Sequence, residues 1–252
     1  MEKRKIDERN FSNKKIKERW NFNKNIYAIT KESENFIHNL ILKSVRNKGK
    51  ARILDYGCGQ GFLSLKLTKK GFNVIGIDLS AECIKTCKKN TKENKVKNAK
   101  FYVMDCEKTK FQKDYFDMIL CHSILHHLNI EKAFQELRRI LKPSGKIVCL
   151  EPLAHNQFIQ LYRKLTPNLR TKWEKAHILT LKNINTAKKY FDIKEMKYFH
   201  LFSILAIPLA NTKIFKPLLA FFNRLDRKML RLSLINKLAW QILFVLEKKD
   251  VK

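Results

Sequence analysis

Four strand-like runs of this chain end in residues able to hold a polar ligand. The first, Ala51–Asp55, leads into Gly57, Gly59 and Gly61, each separated by one residue. Glycine lets a backbone turn where side chains would obstruct it, and the turn leaves N–H groups open to a ligand. Asn73–Asp78 ends in an acid, Lys100–Met104 is followed by Asp105, and Phe116–Cys121 is followed by His122. Ligands of open α/β sheets bind at such carboxyl ends. A dinucleotide turn reads G-x-G-x-x-G, which would place the third glycine at 62. That position is Phe62, and the glycine stands at 61. Asp55, two residues before Gly57, would also repel a pyrophosphate.

An acid at 55 suits a ligand with a cationic amine and no phosphate. S-adenosylmethionine has an α-amino group, a sulfonium and no phosphate. Asp78 lies 17 residues past Gly61, where a carboxylate can accept both ribose hydroxyls. Asp105 can accept from the adenine amine, and Cys121 and His122 can close over the methionyl part. Taken singly, each has a plainer role. The glycines could mark any tight strand–helix turn, Asp105 could cap a turn, and Cys121 and His122 could pack.

The elements that would position these residues alternate regularly. A helix over 32–46, with Phe36, Leu40, Ile41 and Val45 on one face, stops at Gly49. After the first strand come helix 62–69, broken by Gly71, and the second strand. Ser80 is an N-cap for a helix to about Lys92. Asn129 caps helix 131–141, Pro143-Ser144-Gly145 is a turn, and Lys146–Leu150 is the fifth strand. Strands alternating with helices predict parallel βαβ units. Beyond Pro152 follow a short helix at Gln157–Leu165, helix 183–190, a strand at Phe191–Phe199 and a final strand over 239–246.

The chain resembles the small-molecule type of seven-stranded, Rossmann-like (class I) S-adenosylmethionine-dependent methyltransferase. The carrying residues are Leu54–Gly61, Gly76–Ser80, Asp105-Cys106, Phe116–Ile119, Leu125-His126-His127-Leu128 and Leu137–Lys146. The match spans roughly residues 50–150. It implies a doubly wound α/β sheet of order 3-2-1-4-5-7-6, with an antiparallel last strand, helices on both faces and a helical insertion before that strand. It implies S-adenosylmethionine as cofactor, held by Asp55, Gly57, Cys58, Gly59, Gly61, Asp78, Leu79, Asp105, Cys106, Cys121 and His122. The domain plan is a loosely held basic arm over 1–30, helical in part, and a methyltransferase domain over 31–252. That domain holds its cofactor core at 50–150 and acceptor-side insertions at 152–238.

Methyl transfer needs alignment in a dry site, and a base only if the acceptor loses a proton. Candidate catalytic residues are His155 as a base, Glu151, which could orient either His155 or the acceptor, and His126. The alternative for His155 is a surface histidine on a capped turn. His122 and His126 lack a further ligand, so no metal is expected. Residues 201–238 are apolar and basic together, with Phe202, Ile204, Leu205, Phe215, Lys213 and Lys216 among them. They read either as an interfacial helix pair at an anionic membrane or as a lid packed on the sheet.

The sequence carries 53 Lys+Arg against 23 Asp+Glu, a net +30. Such a surplus favours anionic partners or a merely solvated surface. The N-terminus has no apolar leader and no run is long enough to span a bilayer. The six cysteines read as free thiols, giving a cytoplasmic location, peripheral to a membrane if the lipid reading holds. The favoured acceptor is a small lipid-like or aromatic molecule. An RNA methyltransferase and a non-catalytic cofactor-binding partner are the alternatives. Cys121-His122-Ser123-Ile124 stands where amino-methylating nucleic-acid enzymes carry an Asn/Asp-Pro-Pro-aromatic motif.

Overall fold

Side-chain alternation along seven strands sorts the functional residues onto two faces of one sheet. The computed structural model describes residues 1–17, 24–45, 47 and 49–249. Trp20 and Phe22, counted with the arm, and Arg46, at the end of the expected helix 32–46, lie outside the described residues. The strands are β1 (Arg52–Tyr56), β2 (Asn73–Asp78), β3 (Ala99–Val103), β4 (Phe116–His122), β5 (Leu141–Pro152), β6 (Phe191–Phe199) and β7 (Gln241–Lys248). Their order is β3-β2-β1-β4-β5-β7-β6. β7 runs antiparallel to both β5 and β6, and the other pairs are parallel. This is the sheet that the family resemblance implies.

One face carries Ile53, Met118, Leu120, Val148 and Leu150. It is covered by α2 (Lys24–Ser44), through Ile37 and Ile41, and by α3 (Phe62–Thr68), through Leu67. The other carries Leu54, Tyr56, Ile119, Cys121, Ile147 and Cys149 under Phe134 and Leu137 of α5 (Ile130–Ile140). By the same alternation Asp55 and His122 belong to the α2 face, and Glu151 to the α5 face. At the edge, α4 (Ala81–Glu93) sets Ile84 and Cys87 against Phe101 and Cys58.

Both predicted N-caps form. Ser80 Oγ accepts from Cys83 N–H at 3.0 Å, and Asn129 Oδ1 from Lys132 N–H at 3.1 Å. The expected turn at 143–145 does not separate α5 from β5. The strand starts at Leu141, and its pairing with β4 jumps from Phe116↔Leu141 to Met118↔Lys146. The turn residues form a bulge there. A Cβ on Gly145 would come 2.7 Å from Leu141 Cδ1, so glycine lets the bulge fold onto its own start.

Three further corrections concern the periphery. Residues 1–17 are not a loose arm: α1 (Lys3–Lys17) is a helix docked on the sheet's carboxyl edge, and α2 runs across residue 30. Helix 183–190 is shorter, α8 at Leu181–Asn185 with a 3-10 turn over Thr186–Lys189. The apolar segment beyond 200 is not a pair of interfacial helices. It is a 3-10 turn at Ser203–Leu209, with Pro208 inside it, followed by α9 (Phe215–Met229). Leu201, Ile204, Ala206 and Phe215 are buried. Asp226 of α9 ties the two together, accepting from Leu201, Phe202 and Ser203 N–H at 3.1, 2.7 and 3.2 Å. The short helix at Gln157–Leu165, α6, forms where predicted.

Candidate active site

The glycine turn is locked from below and open above. Gly57 and Cys58 N–H both donate to Ile77 O, at 2.9 and 2.8 Å, which straps the turn to β2. Gly57, Gly59 and Gly61 all have positive φ, of 77°, 52° and 77°. A Cβ on Gly57 would sit 2.4 Å from Ile124 Cγ1, whereas a Cβ on Gly59 would meet nothing within 4 Å. Gly59 therefore faces the open side of the turn. Asp78 reaches the same place: Oδ2 accepts from Gly59 N–H at 3.0 Å and Oδ1 from Ser80 N–H at 2.8 Å. Burial pushes its carboxyl upward, against the backbone N–H groups that favour the charge. On β3's side Asp105 Oδ1 accepts from Glu107 N–H at 2.9 Å, and the side chain keeps 30% exposure. Gly59, Asp78 and Asp105 thus form one accessible polar rim, with Leu79 half-buried beside it.

Several expected cofactor contacts point elsewhere. Asp55 is 2% exposed and accepts from Ser64 Oγ at 2.6 Å, anchoring α3 rather than facing the rim. Cys121 is fully buried in the core of the α5 face. Cys58 packs with Ile84, Cys87 and Phe101. Cys106 is buried, and its carbonyl accepts from Tyr56 Oη. What these four can offer a ligand is backbone, because their side chains were drawn into packing.

The expected catalytic pairing also changes. Glu151 is fully buried on the α5 face and cannot orient His155. It accepts from Ile124 and Leu125 N–H, at 2.9 Å each, and lies 2.9 Å from His126 Nδ1. It therefore fixes the turn after β4, and His126 is 5% exposed against it. His155 Nε2 accepts from Leu181 N–H at 3.3 Å, at the start of α8. The pair that does form at the sheet's carboxyl edge is His122 with Glu34 of α2, Nε2 to Oε1 at 2.8 Å. Glu34 was missed because α2 is read from its apolar stripe. The available signal was an acid on a helix whose neighbours cover the β4 end.

α1 is read only as part of a partly helical arm for the opposite reason: it has no apolar stripe at all. Ion pairs hold it. Lys5 Nζ lies 2.7 Å from Asp105 Oδ2 and 2.8 Å from Glu107 Oε2. Arg4 donates to Glu107 Oε1 at 2.7 Å and to His127 O at 2.9 Å. Glu8 meets His127 Nδ1 at 2.9 Å and accepts from Thr171 Oγ1. Asn13 Oδ1 accepts from Ser80 Oγ at 2.6 Å. The readable signal was Arg4, Lys5 and Glu8, spaced for one helical face.

The His122–Glu34 and His127–Glu8 pairs carry a pH signature. Burial opposes the charge on His122 and His127, but Glu34 and Glu8 outweigh it, so both sit above 6.5. Burial likewise opposes charge on Glu34 and Glu8, and their histidines hold both below 4.5. The histidine contribution is complete below pH 6.5 and fades as pH rises through the raised value. The carboxylate contribution is complete above pH 4.5 and fades as pH falls through the lowered one. The loss in thermal stability caused by Glu34→Gln, and separately by Glu8→Gln, is therefore expected to be largest between pH 4.5 and 6.5. Unfolding scans across pH check this; a loss that grows from pH 7 to 9 would contradict it.

Among the described residues, no group of three His, Cys, Asp or Glu side chains is placed to hold a metal ion. None of their helices is long and apolar enough to cross a membrane. A family profile described as a methyltransferase domain matches residues 47–220. The chain belongs to the methyltransferase family. The ubiquinone/menaquinone biosynthesis C-methyltransferase of Rickettsia massiliae is 38% identical over 109 residues, 40% of this chain and 44% of that relative. An uncharacterized methyltransferase of Bacillus subtilis is 29% identical over 116 residues, 46% of each chain. The chain thus spans less than half the length of these relatives. Two solved structures share the fold. Geranyl diphosphate C-methyltransferase from Streptomyces coelicolor has a TM-score of 0.59 at 13% identity, covering 86% of this chain and 79% of that one. A phosphoethanolamine N-methyltransferase from Haemonchus contortus has 0.58 at 19%, covering 91% and 53%.

The matched domain is a methyltransferase domain, and the cofactor that the sequence leads one to expect in it is S-adenosylmethionine. The residues present fit that group: two part-exposed carboxylates stand at adjacent strand ends, beside a glycine backbone with free space above it. When bound, the cofactor supplies a methyl group activated on a sulfonium.

Proposed function

We propose that the methyl acceptor is a small lipid-like or aromatic molecule seated over the carboxyl ends of β4 and β5. The observation that carries this is an apolar cluster beside the His122–Glu34 pair. Ile29 of α2, Ile159 of α6, Ile204 and Trp240 are buried together, with Ile26, Tyr162, Ile207 and Leu219 packed around them. Ser33 Oγ, next to Glu34 on α2, lies 3.1 Å from His200 Nε2, and the His200 ring is 6.0 Å from that of Trp240, which sets the cluster near the polar pair. The names of the relatives agree in kind: quinone biosynthesis, geranyl diphosphate and phosphoethanolamine all denote small acceptors.

In this reading Asp78 accepts the ribose hydroxyls, Asp105 the adenine amine, and backbone at Gly57–Gly61 and Cys121–His122 borders the methionyl part. His122, whose charged form Glu34 favours, orients an acceptor oxygen; it serves as a base only when deprotonated. The apolar wall excludes water, which favours in-line alignment.

The test is to incubate the protein with methyl-labelled S-adenosylmethionine and a total cell extract, then separate lipid, small-molecule, nucleic-acid and protein fractions. Label is expected in the organic phase. The +30 charge favours RNA as the competing acceptor; label confined to nucleic acid would overturn the proposal.

A further inference from the structure

α6 is inside out. Two of its polar residues turn toward the protein: Gln160 Nε2 donates to Ala154 O, and Arg163 Nη1 donates to Leu153 O at 3.2 Å. Its apolar residues Phe158, Leu161 and Leu165, at helical spacing on one face, are 45%, 58% and 73% exposed. Only Ile159 is buried in the ordinary sense. A second exposed apolar segment adjoins it. The N-cap of α6, Asn156, donates from Nδ2 to Leu238 O at 3.0 Å, so the chain after α9 ends beside the start of α6. Along that segment Leu232, Leu234 and Leu238 are 52%, 79% and 45% exposed.

The charge around these residues has one sign. Between Leu153 and Trp173 there is no acid, and between Met196 and Leu246 the only acid is Asp226, which is buried on backbone N–H groups. Lys164, Arg231 and Lys237 are exposed among the leucines. Scattered exposed apolar side chains are ordinary; two adjoining rows of them, fringed by cations and free of exposed acids, mark an interaction surface.

We propose that α6 and the 230–238 segment form the face by which this methyltransferase lies on an anionic lipid bilayer. The apolar rows enter the headgroup–acyl boundary while the cations meet lipid phosphates, the pattern of an interfacial helix. The assignment differs from the one the sequence suggests, since Leu201, Ile204 and Phe215 are spent on the core. It rests on the lipid-like acceptor reading for its purpose, placing the acceptor cluster's Ile159 on the membrane-facing helix.

Co-sedimentation with phosphatidylcholine vesicles, with and without phosphatidylglycerol, tests it. The wild type is expected to bind the anionic vesicles, less at high salt. The triple variant Phe158→Ser, Leu161→Ser, Leu165→Ser should bind at least about tenfold more weakly. Its unchanged unfolding temperature and S-adenosylmethionine affinity would show that it folds. Lys164→Glu with Lys237→Glu should abolish the preference for anionic lipid while the apolar rows remain. Undiminished binding by the folded triple variant, or no binding by wild type, overturns the proposal. So does self-association through the same three residues in the absence of lipid, which would assign the face to a second copy. Failure here leaves label transfer to lipid extract untouched, and failure of that transfer leaves vesicle binding untouched, so the two readings fall separately.

Discussion

Asp78→Ala is expected to lower S-adenosylmethionine affinity by about 100-fold, the equivalent of about 3 kcal/mol. Two losses add. In the free protein the Asp78 carboxylate accepts from Gly59 and Ser80 N–H, and so shapes the open side of the glycine turn. On binding, the same carboxylate is the proposed partner of the ribose hydroxyls. Asp78→Asn keeps an acceptor oxygen without the charge, so its loss should be intermediate. Since burial raises the Asp78 carboxyl above 3.8, affinity should fall as pH drops through that raised value. Calorimetric titration of both variants decides the matter. An affinity within twofold of wild type for Asp78→Ala would remove Asp78 from the cofactor site and reduce its role to holding the turn.

The second large effect is on stability. Glu151→Ala leaves the N–H groups of Ile124 and Leu125 and the ring of His126 without their buried acceptor. Breaking such a buried, hydrogen-bonded carboxylate costs about 3–5 kcal/mol. For a chain of this size that lowers the unfolding temperature by on the order of 10 °C. Ile124 also covers Gly57, so the turn and the glycine loop should loosen together. Scanning calorimetry with and without cofactor measures both. A change smaller than about 2 °C would show that the turn after β4 is held by packing alone.

The parts of this protein legible in its sequence are those written by periodicity and by backbone need. Strands alternate with helices at regular spacing, so parallel βαβ units followed, while the order 3-2-1-4-5-7-6 came from the family resemblance. Gly57, Gly59 and Gly61 stand where positive φ is required, and Ser80 and Asn129 are caps that behave as caps. What sequence could not give was the direction of a side chain at the end of a strand. Asp55 and Tyr56 are neighbours in the chain, yet one meets Ser64 under α3 and the other meets Cys106 on the opposite face. The same parity separates Cys121 from His122, and sends Glu151 to His126 instead of His155. Nor does composition reveal partners contributed from far away. Lys5 reaches Asp105 across 100 residues, and Ser33 Oγ donates to Gln241 Oε1 across 208. Such contacts depend on closure of the whole fold.

That closure comes late, because β7 follows β6 in the chain but sits between β5 and β6. While the ribosome is still making residues 200–248, β6 has no neighbour to pair with and β5 shows an open hydrogen-bonding edge. At typical synthesis speeds this lasts about 2–10 s. Through that interval the nascent enzyme offers two unpaired edges to other chains. A transcript truncated before Gln241 would leave them permanently open, with β6 stranded and Ile242, Phe244 and Leu246 missing from the core. Synthesis of β7, rather than formation of the cofactor half, is therefore the event that commits this protein to its fold.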